Sequence, residues 1–149
     1  MENREKIVVM PANQNHKAFI VHANNQINQV NKTQGTNYLQ ENIDQDLFSS
    51  RPKFHCLVAQ YEGIPVGMIL YSYFYWANDG EVLWISQMFV EEAYRKKGIF
   101  FALIQKLKEE NPDIHIVSCA TGDENERMQK ILKGYGGHEI DLKFYYIKK

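Results

Sequence analysis

The sequence predicts one α/β domain, residues 1–149, whose central sheet is mixed but mostly antiparallel and is flanked by helices. Three observations carry that reading. Segments that alternate apolar and polar residues take turns along the chain with segments whose apolar residues fall at helical spacing, without repeats or linkers. Three strand-like runs in the middle are separated only by the turn signals Glu62-Gly63 and Asn78-Asp79-Gly80, which makes them an antiparallel meander. The 149 residues, 44% hydrophobic and 13% aromatic, suit a single domain with a sizeable core.

Each element follows from its local pattern. Residues 6–10 read as a short strand stopped by Pro11. Residues 15–31 read as a helix with Phe19, Ile20, Ala23, Ile27 and Val30 on one side, and 36–48 as a second helix. The meander strands are 53–60, 65–76 and 81–90; within them Tyr71 to Trp76, "YSYFYW", places one face in the core and leaves the other to an interface or an acceptor pocket. A helix follows Gly98, with Phe100, Leu103, Ile104 and Leu107 at helical spacing and Phe100 assigned to its core face; Asn111-Pro112-Asp113 stops it. Residues 114–120 read as a buried strand with Cys119 as a small core residue. A short helix over 123–132 runs into a flexible Gly134-Tyr135-Gly136-Gly137, and 139–147 read as a closing strand.

Composition removes several function classes. A net charge of -1 lacks the basic excess of a nucleic-acid binder. No run approaches the roughly 18 apolar residues of a membrane span, and the opening MENREKIVVMPANQ has no apolar leader, so no membrane partner and a cytoplasmic location are expected. Cys56 and Cys119 are too few for a disulfide framework, and the five histidines show no metal-ligand spacing, so no metal is expected. His55 and His138 read as structural or surface residues.

Against this neutral background, "VEEAYRKKGIFFALIQKL" is anomalous: Arg95, Lys96 and Lys97 stand where a helix begins. That end of a helix is already partly positive, and each exposed cation there costs about 0.3 to 1 kcal/mol. Glu91 and Glu92 lie too far upstream to cancel it. A strand, a basic turn, a glycine and a helix start together make an anion cradle that suits a pyrophosphate, because the glycine lets the first helical N–H groups come close. A Rossmann fingerprint or a P-loop would need glycines, or a Gly-Lys-Ser/Thr, that the chain lacks.

The turn Arg95-Lys96-Lys97-Gly98-Ile99-Phe100 resembles the R/Q-x-x-G-x-G/A signature of the GNAT superfamily of N-acetyltransferases, departing from it at the last position. The order of strands and helices resembles the GNAT fold from end to end. "FHCLVAQ" and "LWISQMFVEEAYRKKGI" are similar to the corresponding segments of the spermidine/spermine and thialysine N-acetyltransferases, and "GDENERMQKILKGYGG" to the family's second motif.

The resemblance implies acetyl-coenzyme A as co-substrate, with Met88, Phe89 and Val90 on the pantetheine arm. The turn residues Arg95, Lys96, Lys97, Gly98, Ile99, Phe100 and Phe101 would meet the pyrophosphate, and Asn125 and Met128 would also contact the coenzyme. It implies transfer of the acetyl group to a small-molecule amine by direct attack in a ternary complex, in a homodimer. Counting without gaps, the acidic pair of the polyamine acetylases falls on Ser86 and Gln87, which become the expected acceptor-binding residues. The tyrosine that protonates the departing thiolate falls on Leu132, and the nearest phenol, Tyr135, becomes the catalytic candidate. The alternatives are a catalytically weakened coenzyme-binding or regulatory module and a protein or peptide acetyltransferase.

Overall fold

The meander is the backbone of the architecture. Strands β2 (His55–Tyr61), β3 (Ile64–Trp76) and β4 (Gly80–Val90) pair antiparallel through the two expected turns, and β1 (Ile7–Pro11) adds antiparallel to β2 at one edge. Strand β5 (Val117–Cys119) adds parallel to β4 at the other, giving one five-stranded sheet in the order β1-β2-β3-β4-β5. The structure, a computed structural model, describes residues 6–31 and 37–149. Pro11 ends β1 opposite Leu57 on an edge strand, where a missing N–H is tolerated.

Helices cover both faces. Helix α1 (Lys17–Val30), entered through the 3-10 turn Gln14–His16, and helix α2 (Tyr38–Asp46) bury Ile20, Ala23 and Ile43 against Val58 and Met68. Helix α3 (Ile99–Glu110) buries Ile99, Leu103 and Leu107 against Leu57, Ile69 and Leu83 on the opposite face. The buried stripe of α3 therefore starts at Ile99, and Phe100 is displaced from the core face expected for it. Six successive apolar residues, Ile99 to Ile104, leave the helical phase open in the sequence, and the i, i+4 spacing of Ile99, Leu103 and Leu107 settles it. Val30, placed on the core side of α1 by periodicity, is 71% exposed at the last turn of the helix. Thr36, the expected start of α2, lies outside the described residues.

The C-terminal half departs further. The strand expected over 114–120 shortens to three residues with Val117 exposed, and residues 139–147 form no strand. A strand requires a partner edge, and β5 offers three residues of one. The alternation of Ile140, Leu142 and Phe144 is broken by a tight turn in which Leu142 N donates to Ile140 O at 3.0 Å, and Phe144 packs against Trp84 with ring centroids 6.0 Å apart. Nor is the glycine-rich segment after α4 (Glu126–Gly134) a loose tail. Gly136 N donates to Lys133 O and Gly137 N to Leu132 O, both at 3.0 Å, with Gly136 at φ 82: a Schellman cap in which Tyr135 is the C-cap residue.

One buried polar residue ties the first turn of the chain to the sheet. His16 is 2% exposed; its Nδ1 accepts from Asn13 N at 3.1 Å, and its Nε2 lies 3.0 Å from Gln60 Nε2. Desolvation holds its pKa below the ordinary 6.5. The unfolded chain then takes up this proton before the folded one, so the stabilisation is whole above about pH 6.5 and declines as pH falls toward the lowered folded value. Thermal melting at about pH 7.5 and about pH 5.5 checks this: Tm is expected to drop at the lower pH, and by less in His16→Gln. An equal drop in both would assign the pH response to other groups.

Candidate active-site cleft

Strand β4 is longer than the partner beside it. Its pairing with β5 covers only Leu83, Trp84 and Ile85, so from Ser86 to Val90 it is paired on the β3 side alone and its other edge borders a cleft. A bulge produces the divergence: Leu70 pairs with Gln87 and Tyr71 with Ile85, leaving Ser86 as the extra residue, its Oγ donating to Leu70 O at 3.2 Å. The cleft has a volume of about 1600 Å³ and is bounded by the end of α1, β4, the start of α3, β5 and α4.

At its floor the chain passes through a 3-10 turn (Glu92–Tyr94) into the basic turn. Lys96 has φ 65 and Gly98 φ 85, two left-handed residues around Lys97. A lysine in that region is strained, and such strain concentrates at functional turns. A Cβ built on Gly98 would meet nothing within 4 Å, so the space in front of it is open; the glycine is required by its φ and by whatever enters that space. No side chain caps α3, whereas α4 is capped by Asn125 Oδ1, which accepts from Met128 N at 3.2 Å. Of the two helix starts on the cleft, it is α3 whose first N–H groups lack a side-chain acceptor.

The three cations of the turn do not act together. Arg95 lines the cleft, with its Nε donating to Val90 O at 3.1 Å, and Lys96 lines it too. Lys97 turns out of the cleft, its Nζ 5.7 Å from the Tyr61 ring centroid on the β1–β2 side. Of the other expected contacts, Met88, Phe89, Val90, Gly98, Ile99, Phe100, Phe101, Asn125 and Met128 all border the cleft. Phe100 packs against Tyr135 with centroids 5.5 Å apart, which is where the side chain displaced from the core goes.

Ser86 and Gln87 border the cleft as well. Gln87 Nε2 donates to Asn24 Oδ1 of α1 at 2.7 Å, and Gln87 Oε1 is buried without a hydrogen-bond partner among the described residues. An acceptor in that condition invites a donor from a ligand. Asn24, which this contact recruits, carries no signal in the sequence. Nearby, His22 Nε2 and Glu91 Oε1 lie 2.8 Å apart, closing α1 onto the end of β4. Tyr135 borders the cleft and Leu132 does not. Partial burial raises the phenol of Tyr135 above its ordinary pKa of 10, so it holds its proton throughout the neutral range. Among the described residues no group of three His, Cys, Asp or Glu side chains is placed to hold a metal, and no helix is long and apolar enough to cross a membrane.

A family model described as the acetyltransferase (GNAT) family matches residues 19–136. Thialysine N-epsilon-acetyltransferase of Bos taurus is 28% identical over 111 residues, 68% of this chain; the chain spans 65% of that relative's length. Among solved structures, a possible acetyltransferase from Clostridium difficile 630 is similar with a TM-score of 0.80 at 22% identity, over 96% of this chain and 97% of that one. The aminoglycoside N-acetyltransferase AAC(6')-Iy, solved with the bisubstrate analog CoA-S-monomethyl-acetylneamine, is similar with a TM-score of 0.75 at 17% identity, over 96% of this chain and 98% of that one. At these identities the structures establish a shared fold.

Proposed function

Because the chain belongs to the GNAT acetyltransferase family, we propose that it is an acetyl-coenzyme A dependent N-acetyltransferase that acts on the amine of a small molecule while both substrates are bound. The observation that carries the reading is the divergence of β4 from β5 above an uncapped helix start: a free strand edge for the pantetheine arm ends on main-chain N–H groups that suit a diphosphate. The bovine relative is named for acetylating thialysine, and the aminoglycoside enzyme was solved with a coenzyme A conjugate of an amine. Both support an amine acceptor.

Acetyl-coenzyme A would bring the thioester. The chain's residues then have three tasks. The free edge of β4 along Met88, Phe89 and Val90 holds the arm extended and offers a main-chain N–H to the thioester carbonyl oxygen. Gln87 Oε1 accepts a hydrogen bond from the incoming amine and orients it, with Asn24 fixing the Gln87 amide. Tyr135, across the cleft and protonated at neutral pH, donates its proton to the departing sulfur, and the proton that the amine nitrogen gives up as the amide forms leaves to the solvent of the open cleft. A phenol bordering the cleft supports a catalytic reading over a module without catalysis.

The acceptor residues bear on substrate choice. Ser86 and Gln87 offer hydrogen bonds without charge, and Ser86 Oγ is engaged with Leu70 O. A polycation held at several nitrogens draws on several carboxylates. Spermidine and spermine are therefore expected to be poor substrates beside amines with a single cationic centre or a zwitterion, and steady-state kcat/KM across a broad amine panel checks it. Spermidine among the best of the panel would contradict the assignment of Gln87 to the acceptor. The same panel, followed by release of free coenzyme A thiol, tests the reading itself: amine-dependent release is expected, and none with any amine would sink it.

A further inference from the structure

The apolar stripe of α1 outruns the core it packs on. Ile20 and Ala23 are fully buried and Ile27 is half-buried against the same cluster, but Val30, next on the stripe, is 71% exposed. Ile27 and Val30 both border the cleft, flanked on the helix by Gln26 and Asn31. The stripe thus leaves the core and continues as cleft wall. It also starts at the acceptor residue: Gln87 is bonded to Asn24, and Asn24, Ile27 and Val30 follow one another at i+3, the spacing of adjacent side chains on a helix. That row covers about 9 Å along the helix axis. The charged residues of the cleft lie elsewhere, in the segment from Glu91 to Lys96 and on α4. Among the described residues, those that α1 and β4 contribute to the cleft carry apolar, amide or hydroxyl side chains and no charge.

We propose that Ile27 and Val30 form the subsite for the carbon body of the acceptor, so that the substrate is a monoamine charged only at its reacting nitrogen, of the alkyl or aralkyl class. The proposal rests on the reading that Gln87 receives the amine of an acetyl acceptor, and it narrows that acceptor. Apolar surface laid along Ile27 and Val30 gains by leaving water. A second ammonium, or a carboxylate, on the body would lose its hydration on a wall whose described residues offer it no opposite charge. The same uncharged surroundings favour the neutral amine over the ammonium ion, and the neutral form carries the lone pair that attacks the thioester.

Steady-state kcat/KM at saturating acetyl-coenzyme A compares the n-alkylamines from propyl to hexyl with amino alcohols and diamines of matched length, for the wild-type chain, Val30→Thr and Val30→Asp. In the wild type each added methylene is expected to raise kcat/KM about two- to fourfold until the body spans Val30. A terminal hydroxyl or ammonium should cancel that gain. Val30→Thr keeps the shape and adds a hydroxyl, so the rise with chain length should flatten. Val30→Asp places a carboxylate in the subsite and should reverse the order, with diamines above the alkylamines of equal length. The KM for acetyl-coenzyme A should stay within about twofold in both variants, which separates an acceptor subsite from a general disturbance of the cleft. Position 30 is largely exposed, so both variants should fold, and thermal melting shows it. Diamines or amino alcohols matching the alkylamines in the wild type, or an unchanged order in Val30→Asp, would overturn the apolar subsite while leaving the acetyltransferase reading standing. Absence of coenzyme A release with every amine would instead overturn the functional reading beneath it.

Discussion

Replacing Gly98 by valine is expected to weaken coenzyme A binding about tenfold or more. Two effects add. Gly98 sits at φ 85, where a side chain with a Cβ costs about 1 to 2 kcal/mol and a β-branched one more, so the turn relaxes away from this geometry and the first N–H groups of α3 lose their common aim. The branch also enters space that the protein leaves open. A change of 1.4 kcal/mol is about a factor of ten in affinity, so backbone strain alone reaches the expected effect. Because the open space is free of protein atoms, the fold should persist, and thermal melting alongside the titration shows whether it does. Lys97→Ala is the internal comparison: that side chain lies over Tyr61, outside the cleft, and its loss should change affinity by no more than about twofold. An unchanged affinity in Gly98→Val, or a larger loss in Lys97→Ala, would move the anion site away from the start of α3.

Tyr135→Phe is expected to lower kcat by about 10²- to 10⁴-fold with coenzyme A binding intact, the range over which a positioned general acid contributes. The substitution keeps the ring that packs on Phe100 and removes only the hydroxyl. The Schellman cap holds Tyr135 at the C-cap of α4, so its direction is set by Gly136 and Gly137 and not by a mobile loop. Its raised pKa adds a pH signature: the hydroxyl stays protonated to above pH 10, so wild-type kcat should not fall on the alkaline side before then through loss of this proton. Adding Leu132→Tyr to the Tyr135→Phe variant should restore little, since position 132 does not border the cleft. A loss in Tyr135→Phe below about threefold would leave solvent as the proton source.

Local chemistry made much of the fold readable. The meander shows in the sequence because period-2 alternation and Gly-bearing turns specify each strand without help from the rest of the chain. The phase of α3 does not, because a run of six apolar residues is consistent with several buried stripes and only the sheet chooses among them. The tail over 139–147 has a strand's pattern and no strand, since pairing depends on an edge that β5 is too short to provide. The site divides in the same way. A cation-rich helix start is a conflict that any sequence displays, and the basic turn stood out on that ground. Which of its three side chains faces the cleft was hidden, because it depends on Tyr61 and Val90 lying to either side. Asn24 was hidden too; it matters through Gln87, a residue far away in sequence.

Amide chemical shifts of the isotopically labelled chain, recorded as coenzyme A is added, address the central claim most directly, since they report on each main-chain N–H in turn. The largest perturbations are expected at Gly98, Ile99, Phe100 and Phe101, where α3 begins uncapped, and along the unpaired edge of β4 at Met88, Phe89 and Val90. Saturable shifts confined to another surface, or none in these two segments at saturation, would contradict the assignment of this cleft to the coenzyme.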